Sequence, residues 1–341
     1  MNILGIESSC DETAAAVVTD GPRLLSSVVA SQIKYHRPFG GVVPEIASRN
    51  HIRFITDVID KALKKSRLDL SKIDGIAATG GPGLPGSLLV GSSAGKALSY
   101  LTGKPFLAVN HIEAHIYAAF LEDSKLKPPL LALVVSGGHT ELIAMKKHGD
   151  FRILGRTRDD AAGEAYDKVA KLIGLGYPGG PRLEKLARRG RGGLRLPVAR
   201  MKDGSLDFSF SGLKTAVSNL RKGCPGRAEV AAGFQQAVIA ALRAKTMAAL
   251  ETFQAPSLVL AGGVAANSAL RRSLADLAKQ CGVAFITPRI QFCTDNAAMT
   301  AVAGWYRMRK GQRMSLDTPT IPNWVIGSDP SHISVRKGVG S

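Results

Sequence analysis

Residues 1–29, MNILGIESSCDETAAAVVTDGPRLLSSVV, and residues 130–154, LLALVVSGGHTELIAMKKHGDFRIL, read as two copies of one pattern. In the first copy residues 1–6 form a short apolar strand, 8–13 a polar bend, and 14–18 a second apolar run. Gly21-Pro22 is a turn signal, and 24–29 a third strand. In the second copy Leu130–Val135 is apolar, Ser136-Gly137-Gly138-His139-Thr140 is the bend, 142–145 resumes, His148-Gly149 turns, and 151–154 closes the set. An offset of 127 residues places Ser9 on Ser136 and Thr13 on Thr140. Two unrelated hairpins would produce these two identities as well. The recurrence of whole elements in the same order favours an internal duplication.

Outward from the two copies the chain alternates. Residues 73–79 read as a strand, 80–86 as a Gly/Pro loop, 87–101 as a helix, 106–109 as a strand and 111–121 as a helix. After the second copy, 161–173 reads as a helix broken by Tyr177-Pro178-Gly179-Gly180-Pro181, and 182–227 as basic and irregular with short helical stretches. Residues 229–253 read as a long amphipathic helix, 258–260 as a strand, 265–279 as a helix, 285–287 as a strand and 295–309 as the last helix. Strands alternating with helices, twice over, predict a two-lobed α/β fold with a ligand cleft between the lobes. The expected divisions are a first lobe at 1–128, a second at 129–310 with a helical, basic insertion at 180–255, and a tail at 311–341 held loosely beyond Thr318.

Composition narrows the function classes. The 341 residues carry 45 Lys+Arg and 27 Asp+Glu, a net charge of +18, with 45% hydrophobic and 21% charged residues. That balance fits a globular protein rather than a disordered one, and the charge asks for an acidic partner. No apolar run reaches the ~18–20 residues that a membrane-spanning helix needs. Glu7, Asp11 and Glu12 interrupt any signal-peptide core, so a cytoplasmic protein is expected. Cys10, Cys224, Cys281 and Cys293 are scattered without a Cys-x-x-Cys pair, which argues against a disulfide framework or a thiolate zinc site. There are 37 glycines, against roughly 24 for an average composition, and they cluster beside the strands.

Asn110-His111-Ile112-Glu113-Ala114-His115 places two histidines one helical turn apart, a spacing that lets both imidazoles reach one divalent ion. Glu113 lies roughly 200° round the helix from His111, so it cannot act as the base of a metallopeptidase. It suits a capping box with Asn110 instead. Both histidines could also be plain helix-face residues. An oxygen ligand is available from Cys293-Thr294-Asp295-Asn296, unless Asp295 merely caps the following helix. A His₂Asp set with open positions suits a substrate-orienting iron or zinc. Ser136-Gly137-Gly138, Gly262-Gly263 and Gly80-Gly81-Pro82-Gly83 are loops able to present backbone N–H groups to an anion, and Asn267 offers an amide to a nucleotide. No phosphate-loop signature of the Gly-x-x-x-x-Gly-Lys-Ser/Thr kind is present. Asp160, Glu164 and Asp167 fall on one helical face, where a carboxylate could accept ribose hydroxyls. An acidic first helical turn accounts for Asp159 and Asp160 equally well. Arg182, Lys185, Arg188, Arg189, Arg191, Arg195, Arg200 and Lys202 form a Gly/Arg-rich run that could track a phosphodiester backbone or simply be solvated.

Together these motifs resemble those of the tRNA N6-adenosine threonylcarbamoyltransferase (TsaD) family. The resemblance runs in order through Gly5-Ile6-Glu7-Ser8-Ser9-Cys10-Asp11-Glu12-Thr13, Gly40-Gly41-Val42-Val43-Pro44-Glu45, Gly81-Pro82-Gly83-Leu84, His111-Ile112-Glu113-Ala114-His115 and Val135-Ser136-Gly137-Gly138-His139-Thr140. It continues through Asp159 to Lys168, Tyr177-Pro178-Gly179-Gly180-Pro181, Asp207-Phe208-Ser209-Phe210-Ser211-Gly212-Leu213-Lys214, Gly262-Gly263-Val264 and Cys293-Thr294-Asp295-Asn296. It implies the actin, sugar-kinase and heat-shock protein fold, two ribonuclease-H-like lobes around a nucleotide cleft. It also implies transfer of threonylcarbamoyl from threonylcarbamoyl-AMP to N6 of the adenosine after the anticodon, in tRNAs reading codons that begin with A, with release of AMP. By the resemblance the metal ligands are His111, His115 and Asp295, with iron or zinc as the ion. The adenylate contacts fall on Val134, Val135, Ser136, Gly137, Gly138, Asp167, Gly180 and Asn267, and on Glu184 as in some relatives. Expected partners are tRNA, a degenerate paralogue of TsaB type and a small ATPase of TsaE type. Asp11 and Glu12, in the first bend, are candidates for handling the proton. A metallopeptidase and an ATP-dependent kinase of the same fold are the competing readings.

Overall fold

The computed structural model describes residues 1–198, 201, 203–220 and 226–329. Arg200 and Lys202 of the basic run, and Cys224, lie outside the described residues. Among these, two five-stranded sheets repeat one topology. The first contains β1 (Ile3–Glu7), β2 (Glu12–Thr19), β3 (Arg23–Ser31), β4 (Gly75–Gly81) and β5 (Phe106–Asn110), in the order β3-β2-β1-β4-β5. The second contains β6 (Leu130–Val135), β7 (Thr140–Lys147), β8 (Asp150–Arg156), β9 (Ser257–Ala261) and β10 (Ala284–Ile286), in the order β10-β9-β6-β7-β8. In each, the first three strands form an antiparallel meander and the last two join in parallel. The offset of 127 holds residue for residue in the first hairpin of each sheet. Leu4 faces Val17 in the first hairpin, and Leu131 faces Ala144 in the second; Glu7 faces Ala14, and Val134 faces Glu141.

Ten helices complete the described chain: α1 (Ile33–His36), α2 (Pro44–Ser66), α3 (Pro85–Thr102), α4 (His111–Tyr117), α5 (Ala162–Leu172), α6 (Gly179–Ala187), α7 (Ser211–Leu220), α8 (Arg227–Thr252), α9 (Ser268–Gln280) and α10 (Ala297–Arg309). Strand side chains alternate between faces, so each sheet feeds two cores. Leu4 and Ile6 meet Ile55, Val58 and Ile59 of α2 on the outer face of the first sheet. Leu131, Leu133 and Val135 meet Ala165 and Val169 of α5 and Val230, Phe234 and Val238 of α8 on the outer face of the second. The inner faces share one core: Ile3 and Ala77 from the first sheet, Ala132 and Val134 from the second, with Ile116 and Tyr117 of α4 and Met299 and Val302 of α10 between them.

Four expectations change. The 23-residue helix α2 falls in a stretch for which no element was predicted, and it covers much of the first sheet. Helix α8 is amphipathic only in its second half, where Gln236, Ala240, Ala244, Met247 and Glu251 are exposed at helical spacing; in its first half Val230 to Gln235 are buried in succession, enclosed by neighbouring helices and the second sheet. The basic stretch is as expected: it holds the short helices α6 and α7, which pack with α8 on the second sheet, and the described residues between α6 and α7 form no helix or named strand. Helix α10, assigned to the second lobe by its position in the chain, packs on β1, β2 and β4 of the first. The segment expected to hang loosely is docked there too: Met314 bridges Phe106, Ile321 N–H donates to Gly80 O at 2.8 Å, and Ile321, Trp324 and Ile326 are buried.

Candidate active site

The C-terminal ends of the parallel strands bring the chemistry together. Asn110 ends β5, and its Oδ1 caps α4 by accepting Ile112 N–H at 3.0 Å and Glu113 N–H at 3.2 Å. The helix starts there, so His111 and His115 stack on one face with ring centroids 4.6 Å apart. The capping box is incomplete. Glu113 turns its Oε2 toward Arg307 of α10 at 3.4 Å, a direction that also removes it from peptidase chemistry at the histidines. Asn296, not Asp295, caps α10 by accepting Met299 N–H at 3.1 Å. Asp295 is therefore left over for the site, with Oδ1 3.5 Å from His111 Nε2 and 3.3 Å from His115 Nε2.

Two imidazole nitrogens and one carboxylate oxygen thus lie within 4.8 Å of one another. Nδ1 of the buried His115 has no hydrogen-bond partner and its Nε2 has only the Asp295 carboxylate at 3.3 Å, in poor hydrogen-bond geometry, a cost in a native core unless something else satisfies them. His111 stands between two carboxylates, the half-buried Asp295 on one side and the fully buried Glu7, with Oε2 at 3.3 Å, on the other. Burial opposes its charge, but Asp295 and then Glu7 outweigh burial and raise its pKa to about 10. Burial likewise opposes the charge on Asp295, yet the charge and hydrogen bond of His111, then His115, hold its carboxyl far below the usual range. The arrangement demands a positive charge among these groups, and its donor set fits a divalent iron or zinc ion.

The first bend lies beside this set. Burial, then the charges of Asp11 and Asp295, push the Glu12 carboxyl well above its ordinary range. Asp11 also acts on Asp167 and Tyr177, so the bend faces the second lobe's loops as well. Those loops gather at the ends of β6 and β9. Ser136 N–H donates to His139 O at 2.8 Å, and Gly163 N–H at the start of α5 donates to Ser136 O at 3.2 Å. Gly137 and Gly138 are exposed with open space beside them. Gly262 has φ +90, and a Cβ there would sit 2.4 Å from Val135 O, so only glycine lets this loop close on β6. Val134 and Val135 point into the two cores, which leaves only their backbones to meet a ligand.

The remaining predicted contacts divide. Asp167 Oδ1 accepts Gly179 N–H at 2.7 Å at the start of α6, and Gly180 beside it is open. Asp160 and Glu164 both pair with Lys168 Nζ, at 2.6 and 2.8 Å. Asp159 caps α7, accepting from Phe210 N–H at 2.8 Å and from the Ser209 and Ser211 hydroxyls. Glu184 Oε1 accepts the Ser268 hydroxyl at 2.6 Å and pairs with Arg188 at 2.8 Å. Asn267 caps α9 through Oδ1 and donates Nδ2–H to Gln235 at 2.8 Å, so most of its amide is already engaged. In the basic run Arg182 donates to Leu175 O, whereas the Lys185, Arg189, Arg191 and Arg195 side chains are exposed. Sequence reasoning missed a cavity of about 420 Å³ lined by Pro82, Ile112, His139, Glu141, Arg156 and Trp324. It also missed the part that Glu7 plays beside His111; a lone acid ending an apolar strand was the available signal.

The profile of the tRNA N6-adenosine threonylcarbamoyltransferase family matches residues 23–302. The chain belongs to this family. It is 51% identical over 334 residues to the tRNA N6-adenosine threonylcarbamoyltransferase of Clostridium botulinum (strain 657 / Type Ba4), covering 96% of this chain and 98% of that one. It is 52% identical over 330 residues to the protein of the same name from Geobacillus kaustophilus (strain HTA426), covering 94% and 96%. Among solved structures, HypF of T. kodakarensis is similar with a TM-score of 0.66 at 14% identity, over 91% of this chain and 48% of that chain. A ROK family glucokinase from Streptomyces griseus is similar with a TM-score of 0.51 at 13% identity, over 91% and 100%. Those likenesses show the fold alone: this member of the threonylcarbamoyltransferase family has the two-lobed sugar-kinase and actin-like ATPase architecture. No helix among its described residues is long and apolar enough to cross a membrane.

Proposed function

We propose that the chain transfers the threonylcarbamoyl group of threonylcarbamoyl-AMP to N6 of the adenosine that follows the anticodon, in tRNAs reading codons that begin with A. One observation carries this reading. In a chain of this family, the His111–His115–Asp295 set and the glycine loops converge at the ends of the parallel strands, where α/β folds bind nucleotides. The N6 lone pair attacks the carbamoyl carbon and the bond from that carbon to the phosphate oxygen breaks. AMP leaves with the electron pair, and N6 gives up one proton.

The chain's own residues hold the pieces in place. Backbone groups of 134–138, the open Gly180 beside Asp167, and the Asn267 and Glu184 region would bind the adenylate and set its carbamoyl carbon against the amine. Asp11 and Glu12 would take the proton; the raised affinity of Glu12 for a proton suits a general base. His111, His115 and Asp295 would hold one divalent ion, iron in this reading and zinc as the alternative, which when bound supplies a Lewis acid that orients the threonylcarbamoyl end. The exposed cations among 182–198 would meet the phosphates of the anticodon arm, a contact that positions tRNA without selecting the base. A TsaB-type paralogue and a TsaE-type ATPase would complete the assembly in the cytoplasm.

The test incubates the protein, its two partners and its metal with unmodified tRNA and labelled threonylcarbamoyl-AMP. Label is expected at the adenosine after the anticodon, and His115→Ala is expected to abolish it. An absence of label with every component present would overturn the reading. Full single-turnover transfer by both Asp11→Asn and Glu12→Gln would remove those two groups from the mechanism.

A further inference from the structure

Glu7 ends β1 with no exposed surface and is surrounded by hydrogen-bond donors. Its Oε1 accepts Ser9 N–H at 2.6 Å. Its Oε2 accepts the Thr79 hydroxyl at 2.5 Å, lies 3.5 Å from the Thr300 hydroxyl, and lies 3.3 Å from His111 Nδ1. A buried carboxylate is costly unless its lone pairs are used, and here four groups from four elements or loops converge on them. An ionised carboxylate only accepts, so the nitrogen facing it must carry the proton. Ser9 Oγ, 3.1 Å from the same nitrogen, can donate or accept and sets nothing.

We propose that Glu7 is a positioning residue for the metal site: it accepts Nδ1–H of His111 and so turns the Nε2 lone pair toward Asp295 and His115. The proposal rests on reading His111, His115 and Asp295 as a metal-binding set. Thr79 belongs to β4, and Thr300 to α10, the helix that begins two residues after Asp295. The same carboxylate therefore links the sheet, the histidine helix and the segment carrying the acidic ligand. Glutamine cannot replace it. An amide nitrogen at one end would face Ser9 N–H, and at the other would face the Thr79 hydroxyl and force His111 into the opposite tautomer.

The experiment uses the full chain and Zn²⁺ alone as a diamagnetic probe, titrated in competition with a chromophoric chelator. Glu7→Gln is expected to weaken Zn²⁺ by about 10–100-fold, as loss of an outer partner to a metal-bound histidine does elsewhere. In the Zn²⁺-loaded protein, the side-chain NMR resonance of His111 Nδ1–H is expected to shift or vanish, with the circular dichroism spectrum retained. Zn²⁺ affinity within twofold of the unaltered protein would overturn the proposal. So would a Ser9→Ala variant that weakens Zn²⁺ as much as Glu7→Gln does. If Glu7→Gln fails to fold, Thr79→Val replaces it; a several-fold loss of affinity is expected, and none would overturn the assignment. His115→Ala separates the two levels: tight Zn²⁺ binding that survives it would defeat the metal-set reading itself, not the role of Glu7.

Discussion

Glu141 shows how a single side chain can be set by its surroundings. It lies on β7 opposite Val134, and its buried Oε2 has no hydrogen-bond partner. Burial raises its pKa to about 7, only partly offset by Arg156. The folded chain thus binds a proton that the unfolded chain releases at lower pH. The contribution of Glu141 to stability should be greatest below the unfolded value near 4.5 and should be lost as pH rises through 7, by ~3 kcal/mol at most. Urea midpoints at pH 5 and pH 8 should show this slope, and Glu141→Gln should flatten it; an equal slope in the variant would exclude Glu141 as its source. The meeting of His111 with His115 was legible because the two are one helical turn apart in the sequence itself. The pairing of Asp160 and Glu164 with Lys168 went unread because Lys168 was not weighed as their partner. The bond from Ser268 to Glu184 was not legible because the two lie 84 residues apart.

At the scale of elements, α10 depends on one glycine in β1. A Cβ at Gly5 would lie 2.4 Å from Ala297 O and 2.7 Å from Ala301 N. Gly5→Ala should therefore push the helix off the sheet and cost about 1–3 kcal/mol, as overpacking does in a dense core. Because Asp295 immediately precedes this helix and its cap, the variant should also bind Zn²⁺ more weakly; a destabilised variant with unaltered affinity would show that Asp295 is placed independently of α10. Strands β1, β6 and β9 were readable from their apolar runs. Helix α2 went unread although its buried positions, Ile55, Val58, Ile59 and Ala62, keep helical spacing, because charged residues between them dilute the pattern. Helix α8 was readable as a helix but not in the burial of its first half, since enclosure on several sides comes from neighbouring helices and the sheet rather than from its own periodicity.

Across the whole molecule, chain order and spatial order part company after Phe292. The last helix returns to the first sheet, and residues 314–328 follow it, with Trp324 buried against the outer core of that sheet and its carbonyl accepting Asn110 Nδ2–H at 3.1 Å. Trp324→Ala should cost about 3–5 kcal/mol, measured by urea unfolding; a loss under 1 kcal/mol would show that the segment is dispensable to the first lobe. The sequence by itself determined the duplication, the strand order within each hairpin, the histidine spacing and the glycine loops, because each is a local pattern of period, turn chemistry or offset. Tertiary structure alone decided which carboxylates are free for chemistry, that α10 and the C-terminal segment belong to the first lobe, and that Glu7 faces His111. Those outcomes depend on which groups meet across tens or hundreds of residues, and burial then fixes their charge and their partners.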